Sequence, residues 1–505
     1  MIINAGKKKK KKMPVMSKHF PASFICIFFV FIQTAKGYRI EVQIYDLPEQ
    51  ELRLGRHSGP DAFVVDTAVT DKTGLAVFEG PEKLEHGVYF VVFPSAANFD
   101  ILIDEDQNLF VSTWQFHILD SLKQNGSFQN QAFIEFQKRM AAFNKKGHQL
   151  QVEKKFYERR NDRQALDQVN KRLDSLSNER KHYYDSISSL FEGVLLGDIV
   201  KALIPVMAPP EVKALQGMYP EKYFNWYEDH FFDHINFAEP GVFNTPEYVF
   251  HQKLEQYCRY FINHDPQNKE DVQNMIDNLL SKASASETAY RYVMGFLVDF
   301  YNAPGVIGAD WILVFLYDSY FSKNKVPWAS ADITGMLETR VEQRRNNLVG
   351  MEAAHFSLPD ADGNDHQPII QGKEYTILWF WDDKCDVCIQ QSRQLHDVYP
   401  TLKNKNAEVL AVFLGDNREN WLNLIEKYDF NWLNVWNPGK EYHMKKNYGL
   451  HKTPRMFILD KKGIIRAKDI KPDKVIKTLD YFNTKNPALM QEFQFNPPIM
   501  QEPDE

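Results

Sequence analysis

Apolar and polar positions change rhythm three times along the chain. From Tyr38 to about Trp114 they alternate in short runs: Ile40, Val42 and Ile44, then Leu52 and Leu54, then Phe63 to Val65. Alternation with period two marks half-buried strands. Asp71-Lys72-Thr73-Gly74 is a turn, and Ala76 to Phe78, Val88 to Phe93 and Phe99 to Ile103 follow at regular spacing. Six or seven short strands so spaced predict a small antiparallel sandwich or open barrel over 38–115.

The rhythm then becomes helical and rich in charge, which predicts an α-helical region over 125–345. Asn144 to Tyr184 interleaves Lys, Arg, Glu and Asp, as one or two long solvated helices would. Pro209-Pro210, Pro240-Gly241 and Pro304-Gly305 punctuate the later helices. No repeat period emerges, so no solenoid is expected.

The third rhythm mixes the two. Tyr375 to Trp381 is an apolar run that reads as a buried strand. An acidic turn follows. Cys385 then opens a segment with apolar residues at Cys388, Ile389, Leu395, Val398, Tyr399 and Leu402, which is helical spacing. A strand from Glu408 to Leu414 and a helix near Glu419 to Tyr428 come next. Arg455 to Asp460 and Ile464 to Ala467 are strands joined by a Lys462-Gly463 turn, and a last helix runs from about Asp473 to Phe482. This order predicts an α/β fold over 350–485, with a flexible tail at 486–505. A chain of 505 residues exceeds one ordinary core, so a multidomain protein is expected.

The chemistry concentrates in Cys385-Asp386-Val387-Cys388, where a strand hands over to the first turn of a helix. Free backbone N–H groups and the helix dipole favour a thiolate on Cys385 there. Cys388, one turn on, can close a disulfide with Cys385. Other uses of a CxxC fit poorly. Haem attachment needs His after the second cysteine, where Ile389 stands. A zinc ribbon needs a second CxxC, which the sequence lacks. A peroxiredoxin needs Thr three residues before its reactive cysteine, where Asp382 stands. Dithiol–disulfide exchange is left.

Three motifs in order carry a family resemblance. They are Phe356-Ser357-Leu358-Pro359-Asp360-Ala361-Asp362-Gly363, the Phe380-Trp381 pair ahead of the CxxC, and Thr453-Pro454. Residues 350–485 resemble the thioredoxin fold, specifically the TlpA/ResA-like thiol–disulfide oxidoreductases of bacterial envelopes, and the β module resembles one often fused ahead of such domains. The resemblance implies that Cys385 attacks and the more buried Cys388 resolves, as a redox disulfide Cys385–Cys388. It implies a cis Pro454, with Thr453 and Pro454 positioning substrate. Protein disulfide substrates and a thiol electron donor are the implied partners; no cofactor is implied. Two positions depart from the thioredoxin pattern. Trp379 replaces its buried acid, and Asp386-Val387 replaces Gly-Pro. With Asp382, Asp383 and Asp386 near Cys385 and only Lys384 opposing, the field disfavours the thiolate and points to a reducing poise.

Residues 1–37 read as a signal peptide with an upstream extension. Lys7 to Lys12 is either that extension, with the start at Met13 or Met16, or the positive end of the signal itself. Phe20 to Ile32 is a short apolar stretch, and Ala35 and Gly37 offer small residues at cleavage spacing. Cys26 lacks a lipobox before it. No later run reaches about 18 apolar residues, so a mature chain without a transmembrane span is expected, exported to the periplasm or cell envelope of a bacterium. Cys258 then remains outside the CxxC and reads as a buried free thiol.

The formal charge of −7 speaks against nucleic acid as the main partner. His230 and His234 stand at zinc-binding spacing, but Phe231 occupies the place of the metalloprotease Glu, so no metal is expected. The alternative to an enzyme is an envelope binding or scaffold protein whose thioredoxin-like part is a redox sensor or a relic.

Overall fold

The computed structural model describes residues 37–263, 268–303, 307–437 and 441–484. The expected signal segment, the C-terminal tail and Pro304-Gly305 lie outside the described residues.

The β module contains β1 (Tyr38–Ile44), β2 (Glu51–Ser58), β3 (Asp61–Val69), β4 (Leu75–Gly80), β5 (Gly87–Val92), β6 (Asn98–Ile103), β7 (Asn108–Thr113) and β8 (Lys123–Asn125). They form two four-stranded sheets, ordered β4-β1-β7-β8 and β3-β2-β5-β6. Tyr38, Ile40, Val42 and Ile44 are buried while the residues between them are not. They meet Leu52, Leu54, Val91 and Ile101 of the other sheet in one core. The module departs from the expectation in two respects: β8 adds an eighth strand beyond residue 115, and β1 and β7 run parallel. Alternation reports which side chains are buried but not strand direction, so the parallel pair left no trace in the pattern.

Two long helices follow, α1 (Phe128–Arg160) and α2 (Arg163–Leu190). Ser127 caps the first through the Asn130 N–H, and Asp162 caps the second through the Ala165 N–H. Between them Asn161 takes a left-handed conformation, φ 53°, which ends α1 and turns the chain back. Phe143, Leu150 and Leu176 form a small core of their own between the two helices. Asn130, at the base, accepts from the Leu102 N–H at 2.7 Å and donates to the Leu102 carbonyl, which ties α1 to β6. Val88 and Leu102 enter the aromatic-rich core of the helical region, and Ile134 enters that of the sandwich. The region ends in α3 (Ala331–Arg345).

The C-terminal part opens with a hairpin of β9 (Leu358–Pro359) and β10 (Asp365–His366). Its five-stranded sheet has the order β13-β12-β11-β14-β15, made of β11 (Tyr375–Trp381), β12 (Ala407–Phe413), β13 (Leu433–Trp436), β14 (Arg455–Asp460) and β15 (Ile465–Lys468). β11 is central, parallel to β12 and antiparallel to β14. Its unbroken apolar run follows from cover on both faces. Ile377, Trp379 and Trp381 pack with Leu395 and Tyr399 of α4 (Asp386–Asn404). The other helices here are α5 (Arg418–Tyr428), α6 (Glu441–Tyr448) and α7 (Val475–Thr484). Leu479 of α7 joins the Trp379 face, whereas Leu378 and Phe380 pack with Met444 and Tyr448 of α6.

Candidate functional site: the Cys385–Cys388 turn

At the C-terminal end of β11 the chain leaves the sheet through Asp382-Asp383-Lys384. Asp382 Oδ1 accepts the Lys384 N–H at 2.8 Å, closing a local turn. The turn delivers Cys385 to the N-cap of α4, where its Sγ receives the Cys388 N–H at 3.2 Å. This first-turn donor, which also reaches the Cys385 carbonyl at 2.9 Å, points at the sulfur, an arrangement that stabilises negative charge there. Cys385 is half-buried and Cys388 fully buried. Their sulfurs are joined, with Cα atoms 5.2 Å apart.

The Thr453–Pro454 peptide is cis, and the Thr453 carbonyl oxygen lies 3.5 Å from Cys385 Sγ. Pairing of Phe380 with Arg455 between β11 and β14 makes these two segments neighbours. Cys385, Cys388, Thr453 and Pro454, nearly seventy positions apart, therefore converge.

The charges around the sulfur are less simple than their order suggests. Asp386 is exposed at the first helical position. Lys384 extends toward Asp416, with Nζ 3.4 Å from its carboxylate and both side chains exposed. Asp383 accepts the Asn420 amide at 2.6 Å. Burial pushes the Asp382 carboxyl above its ordinary range, and its hydrogen bond with Asp383 adds to the effect. Trp379, where thioredoxin has its acid, donates its indole N–H to Ser392 Oγ at 2.9 Å, and both are buried.

Sequence reasoning assigned no role to two residues here. Val387, between the two cysteines, is half exposed, an apolar surface within the turn. Arg455 follows Pro454 directly and is only 9% exposed. Its signal was a cation heading the apolar run Met456-Phe457-Ile458-Leu459, since a charge in a buried strand needs partners. Elsewhere, Cys258 is fully enclosed and burial pushes its thiol up. His230 pairs with Asp233 at 2.6 Å and stacks on Trp226; His234 faces the Ile204 carbonyl.

Residues 372–465 match the family model described as thioredoxin-like. The chain therefore carries a thioredoxin-like domain in its C-terminal part. Its relatives are thiol–disulfide oxidoreductases named ResA. The Bacillus cereus protein is 25% identical over 174 residues, 34% of this chain and 85% of the relative. The Bacillus thuringiensis protein is 26% identical over 141 residues, 27% of this chain and 78% of the relative. Among solved structures, a thioredoxin-like protein from Bacteroides caccae aligns with 55% of this chain and 97% of its own at 18% identity and TM-score 0.42. A domain of a possible thiol-disulfide isomerase from Cytophaga hutchinsonii aligns with 28% of this chain and 97% of its own, at 28% identity and TM-score 0.26.

Proposed function

We propose that this chain is an exported thiol–disulfide oxidoreductase that exchanges disulfides with protein substrates through Cys385 and Cys388, in the reducing direction. The observation that carries this reading is the half-buried Cys385 at a helix N-cap, beside the Thr453 carbonyl that precedes the cis proline, with Cys388 fully buried. In the reduced protein the Cys385 thiolate attacks one sulfur of a substrate disulfide. That S–S bond breaks, a Cys385–substrate disulfide forms, and the departing thiolate takes a proton from solvent. Cys388 then loses its proton and attacks Cys385 Sγ. The Cys385–Cys388 bond forms and the second substrate thiolate leaves, so two electrons pass from the dithiol to the substrate. A thiol donor restores the dithiol.

The reducing direction rests on Asp386 and its acidic neighbours, which hold the Cys385 thiolate less well than an oxidant requires. The potential is expected nearer about −270 mV than about −120 mV. Export rests on the apolar segment and small residues within 1–37. Among the described residues no helix is long and apolar enough to cross a membrane.

The test is insulin reduction with dithiothreitol as donor. Wild-type protein should accelerate precipitation and Cys385→Ser should not. Equal rates for the two proteins would remove the enzyme and leave a binding or scaffold role. Cys388→Ser should trap mixed disulfides with its substrates, identifiable by mass spectrometry.

A further inference from the structure

The cis-proline segment is held from a part of the chain that the thioredoxin-like domain does not contain. Arg455 is the hub. Its Nε and Nη2 donate to the two Asp469 oxygens at 2.9 and 3.2 Å. Its Nη1 donates to the carbonyls of Tyr448 and Gly449, at 2.5 and 2.6 Å. One guanidinium thus joins the beginning of the 449–454 loop to its end. Its Nη2 also reaches Asn347 Oδ1 at 3.4 Å, just beyond α3. Asn347 donates in turn to the Gln343 carbonyl at 2.8 Å and the Asn447 carbonyl at 3.3 Å.

Lys468 closes the other side. Its Nζ donates to the Asn347 carbonyl at 2.9 Å and to Asn347 Oδ1 at 3.0 Å. It also pairs with Asp310 at 2.6 Å, with the two side chains only 7% and 14% exposed. The backbone is equally close. Gly449 has φ +60°, and a Cβ there would stand 2.1 Å from the Gln343 carbonyl oxygen. The loop that ends in Thr453-Pro454 is therefore seated on the end of α3.

We propose that Asn347 and Asp310, acting through Arg455 and Lys468, are positioning residues for the disulfide-exchange site, so that the helical region sets the distance between the Thr453 carbonyl and Cys385. This rests on the proposed exchange chemistry. The negative end of that carbonyl, 3.5 Å from the sulfur, disfavours a thiolate, while the same backbone aligns the incoming chain. Releasing the loop should therefore move two quantities in opposite directions. The Cys385 thiolate becomes easier to form, and protein disulfides become harder to seat.

The experiment compares the full-length wild type with Asn347→Ala, with Asn483→Ala as a control outside the seam. In Asn347→Ala, alkylation of Cys385 at a fixed pH below its thiol midpoint should rise about threefold, with the midpoint moved down. kcat/KM for insulin should fall about tenfold, mainly through KM. The double variant Asp310→Leu/Lys468→Met removes the buried ion pair as a unit and should shift both readouts the same way with the fold kept. It decides the matter if Asn347→Ala does not fold. Alkylation and KM unchanged from the control in the folded variants would overturn the proposal. A wild type without insulin reductase activity would instead overturn the exchange chemistry, and the alkylation comparison would still decide whether the seam positions the sulfur.

Discussion

Two residues separate Cys385 from Cys388, yet one side chain is half-buried and the other fully enclosed. With Cys258 also at 0% exposure, the reduced protein holds one accessible thiol among the described residues. Cys385 should therefore be alkylated well ahead of Cys388 and Cys258. Mass-spectrometric mapping of the reduced native protein checks this, and faster labelling of Cys388 would reverse the assigned roles. Asp386 offers a second check on the same sulfur. It is exposed, so its charge acts through water, where a pair about 4 Å apart is worth about 1 kcal/mol. Asp386→Asn should lower the Cys385 midpoint by less than about one unit and raise the potential. A glutathione titration with thiolate absorbance followed against pH measures both.

At the scale of elements, the hairpin of β9 and β10 depends on one carboxylate. Asp360 accepts from the backbone N–H groups of Asp362 and Asn364, both at 2.9 Å, and from His366 Nε2 at 2.8 Å. The His366 hydrogen bond is the largest influence holding its carboxyl well below the usual range. The unfolded chain binds that proton more readily than the folded one. Its stabilisation is therefore complete above the unfolded value of about 4 and disappears as pH falls through the lower folded value. Asp360→Asn should melt lower than wild type at pH 6, and the difference should shrink below about pH 4. Thermal melts from pH 6 to 3 record it. The stretch Phe356 to Gly363 entered the sequence reading only through the family resemblance. The long helices were legible more directly: interleaved charges over Asn144 to Tyr184 described one or two solvated helices, and the structure has two, of which α1 begins earlier, at Phe128.

For the whole molecule, residues 350–485 hold nearly everything the five-stranded sheet packs against. All five strands and both cores of the sheet lie inside those bounds except Ile307 and Val349, which pack at the margins. The excised fragment should therefore fold. It loses Asp310 and Asn347, however, and leaves Lys468 facing water. Lys468→Met should accordingly cost up to about 3 kcal/mol in the full chain, where it strands a buried Asp310, and close to nothing in the fragment. Denaturant unfolding of the four proteins gives the comparison. Equal costs in both backgrounds would show that the ion pair contributes nothing to holding the domain.

Local rules were enough for much of this protein. The strands of the sandwich, the buried strand β11 and the helix that starts at Cys385 follow from periodicity and capping, which neighbouring residues settle among themselves. The meeting of Cys385 and Cys388 was legible for the same reason, since two thiols one helical turn apart need no distant partner. What escaped the sequence involves pairs far apart along it. The parallel pairing of β1 with β7 depends on how the sheet closes. Arg455 and Asn347 are separated by 108 positions, Lys468 and Asn347 by 121. A cation in a strand announces that it needs a partner, but the low dielectric that makes the partner necessary exists only once the chain has closed around it. Which residue answers, and hence that the helical region grips the cis-proline loop, was decided by the tertiary fold.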